Sequence, residues 1–101
     1  MAYIPFVIQQ QNPETEEWTD YCYCHAIQVN KDVGKESFSA GSDQRHIRLW
    51  FDVRWSRVIE EVAYNSQEFQ IVYRGRTFNI IDHDDFMEQH RVIRLLGESY
   101  G

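Results

Sequence analysis

Arg45-His46-Ile47-Arg48-Leu49-Trp50-Phe51-Asp52-Val53-Arg54-Trp55 is the stretch that decides the fold. After Arg45 every odd position is large and apolar, while the even positions carry His46, Arg48, Trp50, Asp52 and Arg54. Side chains alternate across a strand, so this period of two predicts a strand with one buried and one exposed face. Ile47, Leu49, Phe51, Val53 and Trp55 are the expected inner row. Trp50 falls on the polar face between Arg48 and Asp52, a composition found where interfaces are anchored. A covering loop or helical turn would explain it equally well.

Downstream, Ser56 is placed to cap a short helical turn over 56–61, with Glu60 and Glu61 behind it. Phe69-Gln70-Ile71-Val72-Tyr73 and Thr77-Phe78-Asn79-Ile80-Ile81 read as a hairpin joined through Arg74-Gly75-Arg76, Gly75 supplying the positive φ of a tight turn. Asp82-His83-Asp84-Asp85-Phe86 reads as a polar connection, and Glu88 to Leu96 as the last strand, ending at Gly97.

Upstream, residues 4–11 are a first strand rich in Ile, Phe and Val, and Asn12-Pro13-Glu14-Thr15-Glu16-Glu17 an acidic turn that Asn-Pro initiates. Trp18 to Val29 is a long second strand. It sets Tyr21, Tyr23, Ile27 and Val29 on one face and Cys22, Cys24 and Ala26 on the other, so an apolar neighbour is expected on each side. Residues 30–43 hold two glycines and three serines among charges and read as a long loop, with a helical turn near Glu36 to Ala40. Loops of this length in a small domain are functional or mobile, and mobility in the free protein is the expectation. The whole is one all-β domain over 1–101: a small antiparallel β-barrel of about six strands, a long loop after strand 2 and one short helix.

Sixteen acidic against ten basic residues give a formal charge of −6. That balance disfavours duplex binding, which rests on cationic neutralisation of phosphates. An acidic wall facing DNA in a channel would instead let the polymer slide. The two cysteines, Cys22 and Cys24, share a strand face and are not expected to bridge. With no second pair they build neither a disulfide scaffold nor a zinc site, so free thiols in a reducing compartment are expected. The opening residues lack the basic n-region of a signal peptide, and no apolar run approaches the ~20 residues of a membrane span.

No phosphate loop, nucleophile elbow or paired His is present, so neither catalysis nor a cofactor is expected. Asp82, His83, Asp84, Asp85, Glu88 and His90 invite a metal, yet strand-to-turn neighbours splay apart and lack a recognised ligand spacing, so a solvated turn is expected. Phe38 is an isolated apolar residue in a polar loop, suited to docking on a neighbouring subunit or folding back on the barrel. Lys31, Lys35 and Glu36 suit charge pairs across subunits or a solvated loop. Arg48 and Arg54 share a face with Trp50, which supports a second reading: a monomeric OB- or SH3-like module for single-stranded nucleic acid or a ligand.

Taken in order, the elements form a pattern: an Ile/Val strand; a Trp followed by a strand with Ala26; a Gly/Ser loop with Glu36 and Ala40-Gly41; and Phe51-Asp52-Val53-Arg54-Trp55. Then come Ile71-Val72-Tyr73-Arg74-Gly75-Arg76-Thr77-Phe78-Asn79-Ile80 and the final Arg91-Val92-Ile93-Arg94-Leu95-Leu96. This order resembles the phage head-tail adaptor family, also called head-closure or stopper proteins, over nearly the whole chain. Gln70, Phe78 and His25 depart from residues common there, without disturbing the hydrophobic register.

The resemblance implies a virion subunit in a homo-oligomeric ring of six or twelve copies, assembled in the bacterial cytoplasm. A portal or connector would sit above it, tail terminator or tail proteins below, and DNA would pass through the lumen without sequence-specific binding. By the resemblance the 30–43 loop would be the segment that rearranges on assembly; the interface residues expected from composition and placement are Lys31, Lys35, Glu36, Phe38, Arg48, Trp50 and Arg54. A related tail completion protein is a further possibility of the same kind.

Overall fold

The computed structural model describes residues 3–32, 47–85 and 91–99. Its strands are β1 (Ile4–Gln11), β2 (Trp18–Lys31), β3 (Ile47–Arg54), β4 (Phe69–Tyr73), β5 (Arg76–Asp85) and β6 (Val92–Ser99). Helix α1 (Arg57–Tyr64) and a 3₁₀ turn (Ser66–Glu68) join β3 to β4. The strands close in the order β1-β2-β3-β6-β5-β4, each antiparallel to its neighbours. Closure is what the expected all-β barrel required, although the first half of β2 pairs only with β1 and the last half of β5 only with β6.

Alternation fills the interior. Phe6 and Ile8, Cys24 and Ala26, Phe51 and Val53, Phe78 and Ile80, Ile93 and Leu95 are successive inward positions of their strands, joined by Ile71. Phe51 is wholly buried at the centre, its ring 5.3 Å from Phe6, 5.4 Å from Tyr73 and 5.8 Å from Phe78. The inner row expected of β3 is therefore real: Ile47, Leu49 and Trp55 pack partly buried against the same cluster.

Ser56 caps α1 as its type and position suggested, its hydroxyl accepting the Ile59 N–H at 3.2 Å. Such a cap stabilises a helix by about 1 kcal/mol. Trp55 Nε1 donates to Glu60 Oε1, tying the end of β3 to the first helical turn. The helix runs three residues beyond the expected Glu61, because Ile59, Val62 and Ala63 sit on one face and enter the core.

Four expectations need correction. β2 continues to Lys31, two residues past Val29, since Asn30 and Lys31 still pair with Trp50 and Leu49. On its tyrosine face Tyr23 is exposed and Tyr21 meets only the Phe69 ring of β4 among the described aromatic rings, while a register shift between Ala26 and Gln28 turns Val29 inward. Asp82 to Asp85 belong to β5 and pair with Leu96, Leu95, Arg94 and Ile93. The turn reading failed because outward positions of a barrel strand tolerate charge. β6 begins at Val92 and runs through Gly97 to Ser99, because Gly97 packs beneath Phe78 instead of ending the strand. The expected loop over 30–43, with its mobility, falls from residue 33 onward outside the described residues, as do 88–90 of the expected last strand.

The barrel has two unlike poles. At one, β2 ends at Lys31, β3 starts at Ile47 opposite Ser99, and β4 turns into β5. Arg74 (φ 52°) and Gly75 (φ 76°) form that turn, both left-handed as a two-residue hairpin requires. At the other pole lie the 12–17 turn, α1 and the 3₁₀ turn.

Candidate functional site

The outer face of β3 and β6 carries a ladder of paired charges around one indole. Arg48 stands opposite Glu98, Trp50 opposite Leu96, Asp52 opposite Arg94 and Arg54 opposite Val92. Arg48 Nε meets Glu98 Oε2 at 2.9 Å and its Nη1 lies 3.8 Å from Asp32. Arg94 Nε meets Asp52 Oδ1 at 2.9 Å, and its guanidinium lies 4.8 Å above the Trp50 ring centroid. Leu96 is buried although it stands outside the core cluster, on the same outward row as Trp50. Trp50 is thus half-buried under a guanidinium, where neither of the covers considered from sequence had been an arginine. A stacked cation of this kind contributes about 0.5–1 kcal/mol and holds the ring in one orientation. A rigid aromatic with a fixed charge partner is well suited to anchor a contact.

Among the described residues, the pole at Lys31 forms a mouth of about 300 Å³. Val29, Ile47, Leu49, Tyr73 and Phe78 form an apolar floor. Lys31, Arg74 and Arg76 stand around it, Arg74 stacked 5.2 Å from the Tyr73 ring and Arg76 donating Nε to Ser99 Oγ. From sequence, Arg74-Gly75-Arg76 registered only as a turn. The signal available was two arginines flanking the turn glycine at the end of an apolar hairpin.

A second feature went unread. Across the outer face of β4, β1 and β2, Gln70 Nε2 donates to Gln9 Oε1, Gln9 Nε2 to Asp20 Oδ1, and the Tyr23 hydroxyl to Asp20 Oδ2. The donors from Gln9 and then Tyr23 hold the Asp20 carboxyl below its ordinary value, and the same carboxylate raises Tyr23. Polar residues scattered over three strands gave no local motif to recognise.

The two cysteines do share a face without forming a disulfide, and the Cys24 thiol donates to Cys22 Sγ at 3.3 Å. Burial, then the Cys22 thiol beside it, pushes Cys24 up to about 12. The folded value exceeds the unfolded one, so the neutral thiol's contribution to stability is complete below about pH 8.5 and lost as pH rises toward 12. At neutral pH, iodoacetamide is expected to modify half-buried Cys22 well before buried Cys24. Peptide mapping by mass spectrometry checks the order; equal rates would contradict the burial of Cys24.

Of the sequence-derived interface residues, Arg48, Trp50 and Arg54 share the β3 outer face and Lys31 stands at the mouth. Lys35, Glu36 and Phe38 lie outside the described residues. His83 packs edge-on against Tyr64 at 5.0 Å, and among the described residues no group of three or more His, Cys, Asp or Glu side chains converges as a metal site would. Among them too, no helix is long and apolar enough to cross a membrane.

The pattern of one protein family, described as phage head completion protein, matches residues 8–99. The chain belongs to that family. No curated protein matches it. Phage head completion proteins are structural components of the virion at the head-tail junction, in agreement with the resemblance to head-tail adaptors. The match begins inside β1 and ends at the last residue of β6, so it spans the closed barrel and the outer ladder alike.

Proposed function

We propose that this head completion protein is the repeating subunit of a ring of six or twelve copies. The ring closes the DNA-filled head and presents the tail with its attachment surface. The family match over the barrel carries this reading. In it, a portal or connector protein lies above and tail terminator or tail proteins below, and DNA crosses the lumen without sequence-specific contact. Assembly takes place in the bacterial cytoplasm. The closed barrel supports it, because a sheet that returns on itself exposes fewer strand edges than an open one, which favours joining neighbours through side chains and loops over uncontrolled strand addition. Lys31, Arg48, Trp50 and Arg54 are the described residues that meet neighbours, together with Lys35, Glu36 and Phe38 from the 33–46 segment.

The nucleic-acid-module reading is weaker on the outer face of β3. Glu98, Asp32 and Asp52 sit among the arginines there, so the face lacks the continuous cationic track that single strands follow. Deleting the gene from its phage should give heads that pack DNA and then lose it, alongside unattached tails. A Trp50→Ala/Arg54→Glu variant should fold, as judged by thermal melting, yet fail to restore joining. Deletion particles that keep DNA and carry tails would overturn the proposal.

A further inference from the structure

We infer that the cationic mouth of one copy receives the 12–17 turn of a second copy, so that identical barrels join pole to pole. The mouth offers an apolar floor of Val29, Leu49, Tyr73 and Phe78 with Lys31 and Arg74 exposed beside it. Asp32 and Glu98, the carboxylates near this pole, are both engaged by Arg48, so the pole stays net positive among its described residues. At the opposite pole the exposed turn projects Pro13 with Glu14, Glu16 and Glu17 around it. Glu68 lies beside that turn and adds to the negative charge.

The match is one of shape as well as sign. A volume of about 300 Å³ is too small for a folded element but admits a turn tip. Pro13 supplies an apolar ring for the floor and Tyr73, while three carboxylates reach the cationic rim. The turn arrives in one shape: Asn12 Oδ1 accepts the Glu14 N–H at 2.8 Å, and Asn12 N–H donates to Glu17 O at 2.8 Å. A preorganised turn loses little entropy on docking. A DNA phosphate would satisfy the rim but leave the apolar floor without a partner, which favours a second copy as the occupant.

The two surfaces lie on opposite poles of one chain, so the contact is heterologous and propagates; with a suitable rotation it closes into a ring. This rests on the ring reading and adds which surfaces meet.

The test is a charge-swap pair on the full chain, using exposed residues only. One variant carries Glu14→Lys, Glu16→Lys and Glu17→Lys; the other carries Lys31→Glu and Arg74→Glu. Circular dichroism confirms folding, and sedimentation velocity over a concentration series reads self-association. Wild type should self-associate, weakening as salt rises. Each variant alone should associate at least about tenfold more weakly, because like charges then face each other, and an equimolar mixture should regain association.

A wild type that stays monomeric at every concentration overturns the inference, as do variants that associate like wild type. So would salt-dependent DNA binding lost in Lys31→Glu/Arg74→Glu without any self-association. If particles still show a ring of this protein while both variants assemble normally, the pole-to-pole contact is wrong and the ring reading stands.

Discussion

Phe51→Ala is expected to destabilise the protein by about 3–5 kcal/mol, measured as the loss in unfolding free energy by urea titration. Phe51 is wholly buried, and its ring joins β3 to Phe6 of β1, Tyr73 of β4 and Phe78 of β5. Truncation removes the buried ring area and opens a cavity that strands on several sides of a closed barrel cannot collapse to fill. Domains of this size have a total stability of roughly 5–15 kcal/mol, so the variant should approach the unfolding threshold at physiological temperature. Phe51→Leu, which keeps most of the volume, should lose clearly less. A loss below about 1 kcal/mol for the alanine variant would mean that the ring does not bridge the barrel.

Gly97→Ala should also destabilise, although alanine usually favours folding at unstrained sites. A Cβ at Gly97 would lie 2.9 Å from Phe78 Cβ and 3.2 Å from Phe51 Cε1. The nearer atom is fixed to the β5 backbone, so relief needs the strand itself to move. Overpacking of this kind costs about 1–3 kcal/mol, against which the entropy lost by the unfolded chain returns only about 0.4–1 kcal/mol. The melting temperature should fall by about 5–15 °C in calorimetry. A melting temperature at or above wild type would show that β5 and β6 do not approach as closely as described. Gly97 also explains a misreading: a glycine after an apolar run suggests a strand end, and here it lies mid-strand where a side chain would collide with Phe78 and Phe51.

What the chain revealed by itself follows from where one rule governed. In β3 each residue is either inside or outside, so period-two alternation placed Ile47 to Trp55 correctly, while β-branched and aromatic content placed residues 4–11 and the glycine turn placed Phe69 to Tyr73. Ser56 was legible because capping is local chemistry. Legibility failed where register changed: the shift at Ala26/Gln28 moves Val29 off the expected face, and the shift at Ile80/Asp82 lies where the strand was expected to end. These bulges follow from closing the barrel and have no local residue signature. The candidate surfaces were half legible. Trp50 announced itself by standing among charges, but its stacking partner Arg94 is 44 positions on and reaches it only because β6 pairs with β3. The mouth combines residues from β2, β3, β4 and β5, a neighbourhood that exists only after closure.

Electron cryomicroscopy of intact particles of the phage encoding this chain, at a resolution that traces strands, addresses the proposed role directly. Six-stranded barrels in the connectivity β1-β2-β3-β6-β5-β4, repeated as a ring between head and tail with Trp50 or the mouth against a neighbouring chain, is the expected result. A junction fully built from other proteins, with this barrel absent from it, would contradict the assignment.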